Sequence, residues 1–119
     1  MVNNDNELIK SFLNGNQEAF NILANKYKQK IYWHTRRMLG NHIDADEVTQ
    51  EVLIVMYEKL ATFKSDSSLF TWIYSITTRR CLNYIKKRNV KRFFSIDSDE
   101  ISERKSSEDI VKNYEYYGS

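Results

Sequence analysis

The 119-residue chain is 41% hydrophobic and 29% charged, which is enough apolar material for one domain with a buried core. It has no apolar run near the roughly 18 residues of a membrane span and no signal-peptide core at its N-terminus, so a cytoplasmic protein is expected. Its single cysteine, Cys81, excludes an intrachain disulfide and suits a reducing compartment.

The predicted fold is all-α, a compact bundle of four helices followed by a polar, acidic C-terminal tail. The chain has no proline and only three glycines, which disfavours strands joined by tight turns. The first helix is predicted from a cap at Asp5 to about Asn14, with Gly15 ending it. The second is predicted from a cap at Asn16 to Gly40. Its apolar residues at helical spacing are Phe20, Leu23, Tyr27, Ile31 and Met38.

The third helix is predicted from a capping box formed by Asp44 and Glu47 to about Leu60. Its core stripe is expected to be Val48, Val52, Val55 and Met56. This leaves apolar residues on the opposite side, in register with acidic and polar ones: Asp46, Glu47, Gln50, Glu51, Leu53, Ile54, Tyr57 and Glu58. Such a mixed surface favours a basic protein partner, and the alternative is a helix buried on nearly all sides.

The fourth helix is predicted from about Ser68 to Asn89, after a break at residues 65–67 that offers a cap. Residues 69–88, LFTWIYSITTRRCLNYIKKR, have two stripes at helical spacing. One stripe is expected to pack in the core: Leu69, Ile73, Ile76, Thr77, Cys81 and Tyr84. The other carries hydrogen-bonding side chains behind an aromatic residue: Trp72, Ser75, Arg79, Asn83 and Lys86.

The second stripe is typical of a nucleic-acid contact. In a major groove Arg79 can read guanine and Asn83 can read adenine. Trp72, with Phe63, Phe70 and Tyr74 nearby, can stack on unpaired bases. Flanking cations can hold phosphates: Arg80, Lys87, Arg88, Lys91 and Arg92.

The charge distribution supports this interpretation. Residues 64–92 carry eight basic residues and one acidic residue, a net charge of +7, between segments of net charge −1 and −4. A block of this sign is typical of a phosphate-binding surface. The alternative is a solvated basic helix end, in which the tryptophan belongs to the core.

Two motifs, DADEVTQEVLIVMYEKL and FTWIYSITTRRCLNYIKKR, together resemble region 2 of bacterial sigma factors. The short form is similar to the extracytoplasmic-function (ECF) group of the sigma-70 family, and the resemblance covers residues 5–90. It implies a four-helix domain that binds core RNA polymerase through the clamp-helix coiled coil of the largest subunit. It also implies recognition and melting of the promoter minus-ten element, with contacts to duplex and to the non-template single strand.

The resemblance assigns roles to residues of this chain. The polymerase-binding surface would be Asp46, Glu47, Gln50, Glu51, Leu53, Ile54 and Tyr57. The loop from Thr62 to Ser68, which contains Lys64, would form the edge of a pocket that captures a flipped base. The DNA-binding residues would be Lys64, Phe70, Trp72, Ser75, Arg79, Arg80, Asn83, Lys86, Lys87 and Arg88. An anti-sigma regulator is a further candidate partner.

The chain departs from the family pattern at Arg79 and Asn83, where Asn and Asp are common, so no base preference carries over. The sigma-like domain is expected over residues 1–92. Residues 93–119 are expected to form an acidic linker or tail, with a short helix from Glu108 to Tyr117. No region 4 domain follows, which suggests a fragment or a chain that lost its second domain.

The sequence shows no pattern that indicates a catalytic site. His34 and His42 lie eight residues apart with Cys81 distant, which is not zinc-ligand spacing. The chain has no phosphate-cradling glycine loop and no nucleophile elbow, so neither metal nor cofactor is expected. Two other functions stay open: a helical nucleic-acid binder that never contacts polymerase, and an interaction domain whose basic helix binds an acidic protein.

Overall fold

The computed structural model describes residues 4–95, and all of its regular structure there is helical. This confirms the predicted all-α class. By its internal contacts the chain falls into two units that divide after Arg80, within the last helix. The helices are α1 (Asp5–Leu13), α2 (Gln17–Leu39), α3 (His42–Lys59) and α4 (Leu69–Ser95), with a 3-10 turn at Leu60–Thr62. The expected acidic tail and the short helix from Glu108 lie outside the described residues.

The cap of the first helix lies one residue earlier than predicted. Asn4 is the N-cap, and its side chain accepts hydrogen bonds from the backbone N–H groups of Asn6 and Glu7. Asp5 is not available for capping because its carboxylate accepts from the Tyr27 hydroxyl and pairs with Lys26 Nζ at 2.7 Å. Burial and this carboxylate raise the pKa of Tyr27. Asp5 therefore joins α1 to α2 and does not cap α1.

The predicted ends of α2 are confirmed. The Asn16 side chain accepts from the backbone N–H of Glu18, and Gly40 closes the helix with a φ of +87°. A side chain at this left-handed position would be strained, which explains the glycine. The prediction of Met38 as a core residue was wrong: Met38 is half-buried, and the buried stripe continues through His34, Thr35 and Leu39.

The third helix begins before the predicted capping box. Asn41 is the N-cap, because its Oδ1 accepts from the Asp44 backbone N–H at 2.9 Å and its Nδ2 donates to the Asp44 carboxylate. Inside the interface between α2 and α3, a polar contact joins the two helices. The Thr35 and Thr49 hydroxyls lie 3.1 Å apart and both donate to the Ala45 carbonyl.

The core of the first unit contains the predicted valine stripe of α3, which is buried as expected. This stripe is buried together with apolar residues of α1, of α2, of the 3-10 turn and of the part of α4 that precedes Arg80. Burying this surface is the main favourable contribution to folding. The largest fully buried apolar residues of this unit are Leu23, Val48, Val52, Met56, Leu60 and Ile73. Because α3 turns its valines inward, its acidic side faces outward.

The fourth helix is longer than predicted. It begins after Ser68, whose hydroxyl accepts from the Thr71 backbone N–H at 3.1 Å, and it continues beyond Asn89 to Ser95. Asn89 is only 2% exposed, so it does not lie at a solvated helix end, where asparagine is common. In the second unit Cys81, Ile85 and Asn89 are buried at successive helical turns.

Candidate docking face and nucleic-acid interface

The outward side of α3 combines carboxylates with exposed apolar residues. Asp46, Glu47 and Gln50 are exposed, while Glu51 and Leu53 are partly exposed. Ile54 is 57% exposed and Tyr57 is 45% exposed. We call these seven residues the docking face. The alternative prediction, a helix buried on nearly all sides, does not fit this exposure.

Tyr57 is held in place although it is exposed. Its ring packs edge-on against Phe20 with centroids 5.1 Å apart and against Phe12 at 5.2 Å. Its hydroxyl donates to Gln17 Oε1 at 2.9 Å. The apolar end of the docking face is therefore fixed by α1 and α2, so ordering it on binding has a small entropic cost.

An ion pair connects the docking face to the first turns of α4. Arg80 Nη1 lies 3.8 Å from Glu51 Oε1, and both side chains are about two-fifths exposed. Such a solvated pair contributes about 0–1 kcal/mol. Glu51 can therefore exchange Arg80 for another cation at little cost. From the sequence, Glu51 was assigned to polymerase binding and Arg80 to DNA binding, and no sequence pattern indicated that the two side chains are in contact.

Trp72 is half-buried and is supported by the loop before α4. Its ring lies 5.4 Å from that of Phe63, centroid to centroid. Ser75 and Arg79 are exposed on the same helix, and Lys64 is exposed in the loop. In the second unit Asn83, Lys86 and Lys87 are exposed and Arg88 is partly buried.

A polar cavity of about 330 Å³ lies beside the loop that was expected to edge a base pocket. Its walls carry hydroxyl groups of the loop and amide groups from the start of α1, together with the ion pair of Lys26 and Asp5. Such groups can hydrogen-bond the edge of a base. The lining residues are Asn4, Asp5, Asn6, Lys26, Ser65, Ser67, Ser68 and Leu69.

A second groove, between α2 and the start of α4, was not predicted as part of the site. It has a volume of about 460 Å³. A signal for it exists in the sequence, since four of its residues recur at helical spacing along α2: Lys26, Lys30, Trp33 and Arg37. Its other lining residues are Gln29, His34, Phe70 and Tyr74.

His34 forms the floor of this groove. Its Nε2 lies 2.9 Å from Thr78 Oγ1, and its ring lies 4.3 Å from that of Tyr74. Burial lowers the pKa of His34, and the charge of Arg37 lowers it further. The imidazole is therefore neutral at physiological pH and adds no charge to the groove.

This lowered pKa predicts a pH-dependent stability. The unfolded chain binds the His34 proton more readily, so stability is lost as the pH falls below about 6.5, the ordinary histidine pKa. We expect the melting temperature of the wild type to fall more steeply with acidification than that of His34→Gln. Thermal melts of both proteins across this range measure the difference, and parallel curves would contradict it.

Among residues 4–95, no three histidine, cysteine or acidic side chains are grouped so as to hold a metal ion. None of the helices in that range is both long and apolar enough to cross a bilayer.

The Sigma-70 region 2 family model matches residues 23–90. The chain is similar to the ECF RNA polymerase sigma factor SigW of Bacillus subtilis, with 36% identity over 80 residues, or 67% of this chain and 43% of the relative. It is 32% identical over 84 residues to the RNA polymerase sigma-H factor of Pseudomonas aeruginosa, covering 71% of this chain and 44% of that protein. It is 33% identical over 81 residues to the ECF RNA polymerase sigma-E factor of Escherichia coli K12, covering 68% and 42%. The chain thus spans less than half the length of these relatives.

Proposed function

The chain belongs to the sigma-70 region 2 family, and we propose that it acts in transcription initiation as an RNA polymerase sigma factor domain of the ECF group. It binds core RNA polymerase, and it recognises and melts the promoter minus-ten element. It works in the cytoplasm with polymerase and promoter DNA, and no covalent step is required. The observation that carries this proposal is the docking face of α3.

The docking face suits a basic, partly apolar partner. Its carboxylates can pair with arginines, and its exposed apolar residues can lose water on binding. The proposed partner is the clamp-helix coiled coil of the largest polymerase subunit. An anti-sigma regulator that covers the same face would compete with polymerase.

The exposed polar residues of α4 are the proposed promoter contacts. Arg79 and Asn83 can make paired hydrogen bonds with base edges. Lysines and arginines around them neutralise phosphates and make binding dependent on salt. These cations are Lys64, Arg80, Lys86, Lys87 and Arg88.

Melting is the third step of the proposed mechanism. Extruding a base requires a few kcal/mol, and stacking it on an aromatic ring provides about 1–3 kcal/mol. Trp72 and Phe70 are the aromatic rings proposed to stack on unpaired bases. The polar cavity beside the loop supports a role in holding a flipped base, because hydroxyl and amide groups line it.

The test must allow for an unknown promoter sequence. Core polymerase with the chain would be used to select duplexes from a pool with a randomised segment, and core alone would serve as the control. We expect an enriched motif whose duplex, labelled with 2-aminopurine, gains fluorescence as it opens. No enrichment over core alone would contradict the proposed function.

A further inference from the structure

The groove between α2 and the start of α4 presents three aromatic side chains to solvent. Trp33 is 54% exposed, Tyr74 is 47% exposed and Phe70 is 40% exposed. Exposed rings of this size collected in one concave place are typical of a binding site. Phe70 is among the predicted DNA-binding residues and Tyr74 was predicted only as a ring near Trp72, whereas Trp33 was not predicted to contact nucleic acid at all.

Neighbouring side chains fix the positions of these three rings. The His34 ring lies beneath Tyr74, and its bond to Thr78 fixes it there. Tyr27 stacks with Phe70 at 6.2 Å between centroids. The rings of Trp33 and Tyr32 pack in a T-shaped arrangement with centroids 5.1 Å apart. The rings are therefore positioned before any ligand arrives.

The charge of the groove is positive. Lys26, Lys30 and Arg37 line it, and none of the carboxylates within residues 4–95 does. Lys26 is paired with Asp5, which leaves Lys30 and Arg37 as its main cations. Lys30 Nζ lies 5.2 Å from the centroid of the Phe70 ring, so a charge and a stacking surface are adjacent.

Proteins that bind single-stranded nucleic acid without sequence preference combine aromatic rings, on which bases stack, with cations that bind the phosphates. We propose that this groove is a second site for single-stranded DNA, in which unpaired bases stack on Trp33 and Tyr74 while Lys30 and Arg37 hold phosphates. The inference rests on the proposed function and extends it: Phe70, a proposed stacking residue, also lines the groove, so the displaced strand passes from α4 onto α2. An acidic peptide would use the cations but would leave the three rings without partners.

The test measures the affinity of the full chain for a labelled oligothymidylate. We expect Trp33→Ala to weaken binding at least about fivefold, the equivalent of 1 kcal/mol of stacking. Lys30→Ala should weaken binding and reduce the salt slope by about 0.7, the value of one lost phosphate contact. Lys10→Ala is the control, because Lys10 is an exposed lysine of α1 that does not line the groove; the affinity of this variant should stay at the wild-type value.

An abasic oligonucleotide of the same length separates stacking from charge. Trp33→Ala should bind the abasic oligonucleotide as weakly as the wild type does. If the variant loses the same fraction of its affinity for both oligonucleotides, the stacking role of Trp33 is overturned. Trp33 is exposed, so the melting temperature of the variant should match that of the wild type.

Trp72→Ala separates this inference from the proposed function. If Trp72→Ala binds the oligothymidylate less tightly and Trp33→Ala binds like the wild type, the groove inference is overturned and promoter melting stands. If the wild type does not bind the oligothymidylate, free or with core polymerase, the groove inference is overturned, and the selection and opening assay decides the proposed function separately. Weaker binding by Trp33→Ala, with unchanged affinity for polymerase, supports the groove as a separate site.

Discussion

Replacing Glu51 with lysine is expected to weaken binding of the chain to core RNA polymerase by about 30-fold or more. Losing one partner of a desolvated charge pair typically costs about 2–5 kcal/mol, and 2 kcal/mol corresponds to roughly 30-fold. The new lysine would also face the proposed polymerase arginines with the same charge. Fluorescence anisotropy of an N-terminally labelled chain, titrated with core enzyme, measures the change.

The ion pair between Glu51 and Arg80 supplies the matched control. Arg80→Ala breaks the pair but leaves the carboxylate on the docking face. We expect this variant to bind core polymerase with wild-type affinity, because a solvated pair contributes little to stability. If Arg80→Ala binds as weakly as Glu51→Lys, the loss comes from the broken pair, and the assignment of Glu51 to docking is wrong.

Replacing Trp72 with alanine should reduce promoter opening by roughly 5- to 150-fold, the range that corresponds to 1–3 kcal/mol of lost stacking. The ring supports Phe63 as well, so removing it also loosens the loop beside the polar cavity. The measurement is 2-aminopurine fluorescence on the selected duplex with saturating core enzyme.

Trp72→Phe is the control for this change, because it keeps a stacking ring and a contact for Phe63. We expect it to retain most of the opening and the wild-type affinity for polymerase. Normal opening by Trp72→Ala, at full polymerase occupancy, would show that the indole has no part in melting.

The sequence predicted the elements whose signals are local and strong. The valine stripe of α3 repeats at helical spacing and faces the core, so the apolar residues left over could be assigned to the outside. The ends of α2 were also predictable, because Asn16 and Gly40 are the capping residues expected at those positions. In both cases short-range pattern and tertiary packing agree.

The errors arose where neighbouring residues compete for one role. Asn4 and Asp5 can both cap α1, and the choice depends on a contact of Asp5 with Tyr27, far along the chain. Asn41 and Asp44 present the same ambiguity before α3. The end of α4 was predicted too early, at about Asn89, whereas Asn89 is buried and the helix continues to Ser95.

The α2–α4 groove was missed for a different reason. Its cations and Trp33 recur along α2, but the rings of Phe70 and Tyr74 come from a helix more than thirty residues away. A helical stripe of lysines alone is typical of a solvated surface. Only packing of α2 against the first part of α4 brings charge and aromatic rings together, and no local pattern encodes that packing.

The central claim, that the outward face of α3 binds core RNA polymerase, is tested most directly on a sizing column. The purified chain would be mixed with core enzyme, and Glu51→Lys would be run beside it. We predict that the wild-type chain elutes with the polymerase and that the variant elutes alone. Elution of the wild-type chain apart from polymerase, at concentrations well above micromolar, would contradict the claim and leave the chain as a nucleic-acid binder.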